Sequence, residues 1–233
     1  MAETDLTLTF STPDQPVSGG ERLSGALVGD YVVGQRIAEG GCGAVYAAMH
    51  LSTGRRVAIK VLRASLSALP KMVERFTREV EVVNRLRHPH IVEIYDVGET
   101  ADGRPFYAME YLDAVPLDVF LKERKLLSPR EALELLEPVC DALSAAHAAG
   151  IIHRDVKASN IAIGRRAPRE VKLLDFGIAK LIEPEHGASQ LTSVGRQPGT
   201  LTIMAPEQIL GRPIDARIDV YALGILLHRM LTG

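Results

Sequence analysis

The sequence predicts an α+β fold of two lobes: a small antiparallel β-sheet with one helix, followed by a mainly helical part. Two observations lead to this assignment. Between residues 30 and 112, short stretches rich in Val, Ile, Tyr and Phe are separated by Gly-containing turns, which is typical of strands joined as hairpins. From residue 113 onward, longer stretches carry apolar residues at helical spacing. We therefore predict a first lobe over 28–112 and a second lobe over 113–233.

The first lobe is predicted to begin after a flexible tail. Residues 1–27 are rich in Ser, Thr, Pro and Gly and have no sustained periodicity. YVVGQRIAEG, GAVYAAMH and RVAIKVLR are predicted strands, as are IVEIYDVGE and PFYAMEYL. One helix is predicted between the third and fourth strands, where Met72, Phe76, Val80 and Val83 recur at helical spacing and His-Pro follows as a stop.

The second lobe is predicted to open with a long helix. Ser128 is its expected N-cap, Pro129 its first residue and Glu131 the third residue of a capping box. Gly150 is the expected C-cap. Two short strands, NIAIG and VKLLDFG, follow, and the last predicted helix is DVYALGILLHRMLTG, which is apolar on most sides.

Composition restricts the class of protein. The chain has 233 residues and a formal net charge of −2, so it has no overall attraction to nucleic acid or to an anionic membrane. Its two cysteines, Cys42 and Cys140, lack metal-ligand spacing, which favours a reduced compartment. No segment approaches the ~18 apolar residues of a membrane span, and the acidic N-terminus does not resemble a signal peptide. We expect a cytoplasmic protein with no membrane span in this chain and no nucleic-acid partner.

The segment RIAEGGCGAVYAAMH contains a glycine-rich loop. Gly40, Gly41 and Gly43 surround Cys42 at its apex, and Ala38 stands where a first glycine is expected. A dinucleotide-binding fingerprint would open a helix here, with an acid about 20 residues on, but a strand, a turn and a strand follow. A Walker A loop would end in Gly-Lys-Ser/Thr, which is missing. The loop is therefore predicted to be a hairpin turn, and on its own it is equally consistent with a purely structural role.

The remaining motifs decide between these readings. Val-Ala-Ile-Lys ends at Lys60, HRDVKASN spans 153–160, Asp-Phe-Gly spans 175–177 and Ala-Pro-Glu spans 205–207, in the order required by the kinase signature set. Over roughly residues 30–233 the chain thus resembles the eukaryotic-like (Hanks-type) serine/threonine protein kinases, particularly their bacterial branch. The resemblance implies a two-lobed kinase fold that binds ATP and phosphorylates Ser or Thr hydroxyls of protein substrates.

The resemblance also implies catalytic roles. Lys60 is expected to reach the α- and β-phosphates and Glu79 to hold it there, with Glu74 and Glu81 as alternative partners. Asp155 is expected to act as the catalytic base for the substrate hydroxyl. Lys157 is expected to contact the γ-phosphate, with Thr200 bridging Lys157 and Asp155.

Two side chains are expected to hold metal. Asp175 would bind the ion that bridges the β- and γ-phosphates, and Asn160 would bind at a second position. Their hard oxygen donors suit Mg²⁺, with Mn²⁺ as an alternative. His153 is expected to have a structural role instead, packed under Phe176.

A nucleotide pocket is implied by the same matching. Met109 is the expected gatekeeper. Glu110 and Leu112 are expected to supply hydrogen bonds from their backbones, so their side chains could vary freely. Ala162 is expected to form the floor of the pocket, with less apolar surface than a Leu or Met. The pocket residues implied are Ile37, Ala38, Gly40, Gly41, Cys42, Gly43, Val45, Ala58, Lys60, Met109, Glu110, Leu112 and Ala162.

Regulation is expected through the segment after Asp-Phe-Gly. Arg154 precedes the catalytic aspartate and is the type of residue that pairs with a phosphorylated loop. Thr192 and Ser193 are the expected phosphate acceptors, with Ser189 as a weaker one, and autophosphorylation would involve self-association of two copies.

The end of the chain departs from the resemblance. Relatives of this kind continue with further helices, including an Arg that pairs with the Glu of Ala-Pro-Glu, here Glu207. We therefore expect a second lobe that lacks its C-terminal part. The alternative to an active kinase is a truncated, inactive remnant that binds nucleotide or serves as a scaffold.

Overall fold

The computed structural model of the chain describes residues 23–166, 169–176 and 203–233, apart from the side chains of Arg75, Glu79 and Val82. Within these residues the predicted α+β fold is confirmed: a six-stranded sheet and its helices are followed by a mainly helical part that carries a three-stranded sheet.

The first sheet is antiparallel throughout, in the order β1-β2-β3-β4-β6-β5. Alternating apolar residues face its core, and Gly-containing turns connect several strands, which is why the sequence predicts them well. A short first strand lies one residue inside the predicted tail. The strands are β1 (Leu27–Val28), β2 (Tyr31–Glu39), β3 (Gly43–His50), β4 (Arg56–Leu62), β5 (Ile94–Glu99) and β6 (Pro105–Glu110).

Two helices connect β4 to β5. The predicted one is α2 (Pro70–Arg85), which starts at a proline, a residue favoured at the first helical position, and buries Phe76, Val80 and Val83. A short helix, α1 (Ala64–Ser67), precedes it and was not predicted. Its four residues form a single turn, too short for a periodic signal.

The second part begins with β7 (Ala114–Pro116) and α3 (Leu117–Arg124), neither of which was predicted. The long helix α4 (Pro129–Ala148) has the predicted capping box: Ser128 accepts from the Glu131 amide, and Glu131 accepts from the Ser128 amide. The strand β8 (Ile161–Gly164) lies between β7 and β9 (Val171–Leu173) and pairs antiparallel with both.

The last helices are α5 (Pro206–Ile209) and α6 (Arg217–Thr232). Helix α6 was predicted to be apolar on most sides, and it buries Ile218, Leu226 and Met230. Its Val220 side is exposed.

The described residues form two hydrophobic clusters. One lies on the face of the six-stranded sheet that carries Val33, Ile59 and Phe106. The larger one joins α2 to the helical part and includes Val83, Ile94 and Phe176, the residue under which His153 was expected to pack. Among the described residues, no helix is both long and apolar enough to cross a membrane.

Candidate active site

The glycine-rich loop is the turn between β2 and β3. The Gly40 amide donates to the Gly43 carbonyl over 2.9 Å, which closes the turn. Gly43 is required by packing, because a Cβ there would lie 2.1 Å from the Val61 carbonyl oxygen of β4. At Gly40 a Cβ would meet nothing within 4 Å. Packing therefore excludes a side chain at Gly43 but leaves room for one at Gly40.

Ala38 fits its position in this loop. It pairs with Val45 across the hairpin, beside a register shift. It is not among the residues with a positive φ in the described part of the chain, so its methyl group causes no backbone strain. Cys42 is exposed at the apex.

Arg63 holds the loop from the end of β4, a role that the sequence did not reveal. Its guanidinium donates to the Gly40 carbonyl over 2.9 Å and to the Glu39 carboxylate over 3.0 Å. Glu39 also forms an ion pair with Arg36 at 2.7 Å. These groups are about half exposed, so the ion pairs add little stability, and their effect is to orient the turn.

Lys60 and Asp175 lie together at the centre of the site. Lys60 Nζ donates to Asp175 Oδ1 over 2.7 Å. Tyr107, the cross-strand partner of Lys60, donates its hydroxyl to the same oxygen over 3.3 Å. Burial by itself raises the pKa of Asp175, but Lys60 and the Tyr107 hydroxyl outweigh it and hold the pKa below the ordinary value. The carboxylate is therefore ionised at neutral pH, which is the form that its predicted metal-binding role requires.

Tyr107 was not among the predicted site residues. It could have been found from the alternation of side chains along a strand, because Tyr107 lies two residues before Met109 and so faces the same side of β6. Its ring also contacts Phe76 of α2, with centroids 5.2 Å apart.

Asp155, Lys157 and Asn160 form the second cluster of the site. Lys157 Nζ lies 2.8 Å from Asp155 Oδ2. The Asn160 side-chain amide donates to the same Oδ2 over 3.1 Å and to the Asp155 carbonyl over 2.9 Å. A 3₁₀ turn, Ala158–Asn160, brings the asparagine back to the aspartate. The structure thus brings together three of the predicted catalytic residues.

His153 has the structural position that the resemblance implied. It is fully buried, and its ring lies 4.6 Å from the Phe176 ring, centroid to centroid. Its Nδ1 accepts from the Asp155 amide and its Nε2 is 3.0 Å from the Leu174 carbonyl, which assigns the proton to Nε2. Burial lowers the pKa of His153 despite the opposing attraction of Asp219. His153 therefore stays neutral and orients the catalytic segment.

Asp219 of α6 fixes the backbone of His153 and Arg154 through hydrogen bonds. Its two carboxylate oxygens accept from the His153 and Arg154 amides, each over 2.8 Å, and His147 Nε2 lies 2.8 Å from Oδ2. Arg154 has φ of 68°, a conformation unusual for a residue with a side chain. The Asp219 hydrogen bonds hold that conformation just before Asp155. His147 was not predicted from the sequence.

The residues of the predicted nucleotide pocket lie on or next to strands of both sheets. Ala58 and Met109 are direct cross-strand partners on β4 and β6, so the predicted gatekeeper lies beside the residue expected to pack on the adenine ring. Ile37 is 48% exposed near the loop, and Leu112 lies two residues after the end of β6. Ala162 is buried on β8, opposite Lys172.

The prediction that the Glu110 side chain can vary freely is wrong. Glu110 Oε1 forms an ion pair with Lys172 Nζ at 2.7 Å and accepts from the Glu93 amide over 2.9 Å. Both charged side chains are at most 16% exposed. The backbone role of Glu110 remains a prediction.

Several predicted residues lie outside the described part of the chain. These include the side chain of Glu79, although its backbone belongs to α2. Of the two alternatives, Glu74 forms an exposed pair with Arg78, and Glu81 is exposed. The others outside the described residues are Thr200, Ser189, Thr192 and Ser193.

Comparisons of the sequence with known proteins identify a family and several relatives. A family model described as the protein kinase domain matches residues 31–233. The serine/threonine-protein kinase Pkn1 of Myxococcus xanthus is 44% identical over 220 residues, which cover 93% of this chain and 31% of that protein. The serine/threonine-protein kinase PknA of Mycobacterium tuberculosis is 41% identical over 216 residues, covering 91% of this chain and 49% of that protein.

A solved structure gives the same result for the fold. The crystal structure of the Mycobacterium tuberculosis PknI kinase domain is similar with a TM-score of 0.71 and 31% sequence identity, covering 91% of this chain and 77% of that one. The chain spans less than half the length of each of the curated relatives named above.

Proposed function

This chain belongs to the protein kinase domain family, and on that premise we propose that it transfers the γ-phosphate of ATP to Ser or Thr hydroxyls of protein substrates. The observation that carries the proposal is the set of contacts around the Asp155 carboxylate. Lys157 and Asn160 both bind its Oδ2, and Asp219 fixes the backbone in front of it.

These contacts fit the role of a residue that orients a hydroxyl nucleophile. Two donors converge on Oδ2 of Asp155, so that carboxylate is held in one orientation. Its side chain is 14% exposed, which shields it from bulk water. A substrate hydroxyl that donates to Asp155 is aligned with the γ-phosphate, and Lys157 stabilises the negative charge on the transferring group.

Lys60 has two tasks in this scheme. It offers a positive charge to the α- and β-phosphates, and it keeps the pKa of Asp175 low through their 2.7 Å contact. Glu79, on α2, remains the proposed partner that orients Lys60. The Thr200 bridge between Lys157 and Asp155 likewise remains a proposal.

The residues present fit a divalent cation. Asp175 supplies an ionised carboxylate that is 40% exposed, and Asn160 uses its amide nitrogen for Asp155, which directs the amide oxygen elsewhere. Among the described residues no group of three or more His, Cys, Asp or Glu side chains could hold a metal. Two oxygen donors completed by nucleotide phosphates are typical of Mg²⁺, which neutralises phosphate charge when bound, and Mn²⁺ is the second candidate.

The proposal is tested by phosphate transfer from labelled Mg-ATP to a generic basic protein. We expect transfer by the wild-type chain and a loss of ~100-fold or more for Asp155→Asn, because the amide cannot accept the hydroxyl proton. Tyrosine-containing acceptors without Ser or Thr should remain unlabelled. Equal labelling by wild type and Asp155→Asn would contradict the kinase function.

A further inference from the structure

Glu110 ends strand β6 and joins three segments of the chain through one carboxylate oxygen. Its Oε1 accepts from Lys172 Nζ over 2.7 Å and from the Glu93 amide over 2.9 Å. The Glu110 amide in turn donates to the Glu93 carbonyl over 2.9 Å. The backbone of Glu110 is therefore fixed on one side by Glu93, and its side chain is fixed by Lys172.

Lys172 connects this point to the other half of the candidate site. It lies on β9, three residues before Asp175, and is the cross-strand partner of Ala162. Cross-strand partners project from the same face of a sheet, so Lys172 and the predicted floor of the nucleotide pocket share a face. The ion pair consequently joins the six-stranded sheet, at the predicted adenine-binding backbone, to strand β9, which ends two residues before the predicted metal ligand Asp175.

On the Glu93 side of the Glu110–Lys172 ion pair, the two sheets are not held together by close side-chain packing, because a cavity lies there. Glu93 and Lys172 line a cavity of about 260 Å³, together with Ile91 and Ile94. A second carboxylate, Glu170, lies 3.6 Å from Lys172 Nζ, but it is 60% exposed and therefore more strongly screened by water. Glu110 is 16% exposed and is the closer partner.

We propose that Lys172 and the Glu110 side chain are positioning residues for the nucleotide: their ion pair sets the distance between the adenine-binding backbone and the Asp175 segment, and thereby the affinity for ATP. This inference rests on the proposed kinase function. Neither side chain is placed on the reacting atoms, so the pair acts on nucleotide binding and leaves the phosphate-transfer step largely unchanged.

The test has to separate positioning from simple loss of stability. Removing one partner of a little-exposed ion pair leaves an uncompensated charge, whereas replacing both by neutral groups is often close to neutral for stability. The variants are therefore Lys172→Met and the double variant Glu110→Gln/Lys172→Met, in which the Gln oxygen still accepts from the Glu93 amide. Lys172→Arg retains the ion pair, and Arg130→Gln removes an exposed pair with Glu134 on α4 as a control.

The readouts are KM for ATP, kcat, the Kd of ADP from calorimetry, and Tm. We expect both Met-containing variants to raise KM and Kd about tenfold with kcat changed less than about threefold. Tm should fall for Lys172→Met and return close to the wild-type value in the double variant. Lys172→Arg and Arg130→Gln should resemble the wild type in all four quantities.

Two results would overturn the inference. One is a double variant in which KM and Kd recover together with Tm, since the pair would then matter only through the charge left behind. The other is an unchanged KM in Lys172→Met. Wild-type protein that binds ADP but transfers no phosphate would contradict the proposed function, and the ADP Kd values of the variants would still decide the positioning role.

Discussion

Lys60 and Asp175 are 115 positions apart in sequence, yet Lys60 Nζ lies 2.7 Å from Asp175 Oδ1. The lysine comes from the middle of β4, and the aspartate follows β9 in the second part of the chain. Lys60 is 9% exposed, so the ion pair is shielded on the lysine side. The proposed phosphate and metal contacts are thus neighbours, and each residue alters the electrostatics of the other.

The Lys60–Asp175 pair predicts a pH-dependent stability. The pKa of Asp175 lies below its ordinary value of 3.8, so the pair stabilises the fold above about pH 3.8, and this contribution is lost as pH falls through the lower folded-state pKa. In Lys60→Met, burial raises the pKa of Asp175, and the ionised carboxylate becomes unfavourable at neutral pH. We expect the free energy of unfolding of Lys60→Met to lie furthest below wild type at pH 7, with the difference narrowing below about pH 4.

Chemical denaturation of both proteins between pH 3 and 8 measures this difference. Lys122→Met, which removes an exposed pair with Asp118 on α3, should give a small difference at every pH. A Lys60→Met difference that is independent of pH would show that Asp175 does not titrate as described.

Asp219 predicts a stability effect coupled to activity. In Asp219→Asn the amide NH₂ faces either the His153 or the Arg154 amide, and one buried donor loses its acceptor. We expect unfolding free energy to drop by about 2 kcal/mol or more, and kcat to fall because Arg154 no longer keeps its φ of 68° beside Asp155. Urea denaturation and the phosphate-transfer assay measure the two effects.

Asp215→Asn is the matched control, four residues before Asp219. Asp215 accepts from Arg217 at the surface, where its contacts are screened by water. It should leave both stability and kcat close to wild type. Similar losses in the two variants would indicate a general effect of charge at the start of α6.

The loop predicts different outcomes for alanine substitutions at two of its glycines, Gly40 and Gly43. Gly43→Ala would place a Cβ 2.1 Å from the Val61 carbonyl oxygen, which is backbone and can move only if β3 separates from β4. We expect a loss of about 2 kcal/mol or more in unfolding free energy. Gly40→Ala meets open space and should unfold like the wild type, with any effect confined to KM for ATP. Equal Tm values for the two variants would contradict this packing.

Autophosphorylation predicts a defined site of modification. We expect incubation with Mg-ATP to add phosphate to Thr192 or Ser193, because an arginine directly before the predicted catalytic aspartate, here Arg154, is the type of residue that pairs with a phosphorylated loop. Tryptic mass spectrometry of wild type and of Thr192→Ala/Ser193→Ala measures it. An active wild-type protein with an unmodified 181–204 segment would rule it out. A modification rate that rises with protein concentration would support self-association during the reaction.

Local patterns in the sequence were sufficient for most of the fold. The bounds of β3 were predicted to the residue, and the capping box of α4 was predicted because its signal lies within four consecutive positions. Helix α1 and strand β7 were missed because segments of three or four residues contain too few positions to show a period. The motif order predicted Asp155, Lys157 and Asn160 as one group, and the structure brings them together.

The sequence by itself determined the family, the order of the longer strands and of the long helices α2, α4 and α6, and the residues that carry the proposed chemistry, since motifs are local and their spacing along the chain is visible. Only the tertiary structure showed that Tyr107 shares Asp175 with Lys60, that Arg63 holds the glycine loop, that His147 contacts Asp219 and that Lys172 pairs with Glu110. These partners are brought together by strand pairing and helix packing across long separations. A side chain's electrostatic environment depends on such neighbours in space, and no pattern along the chain records them.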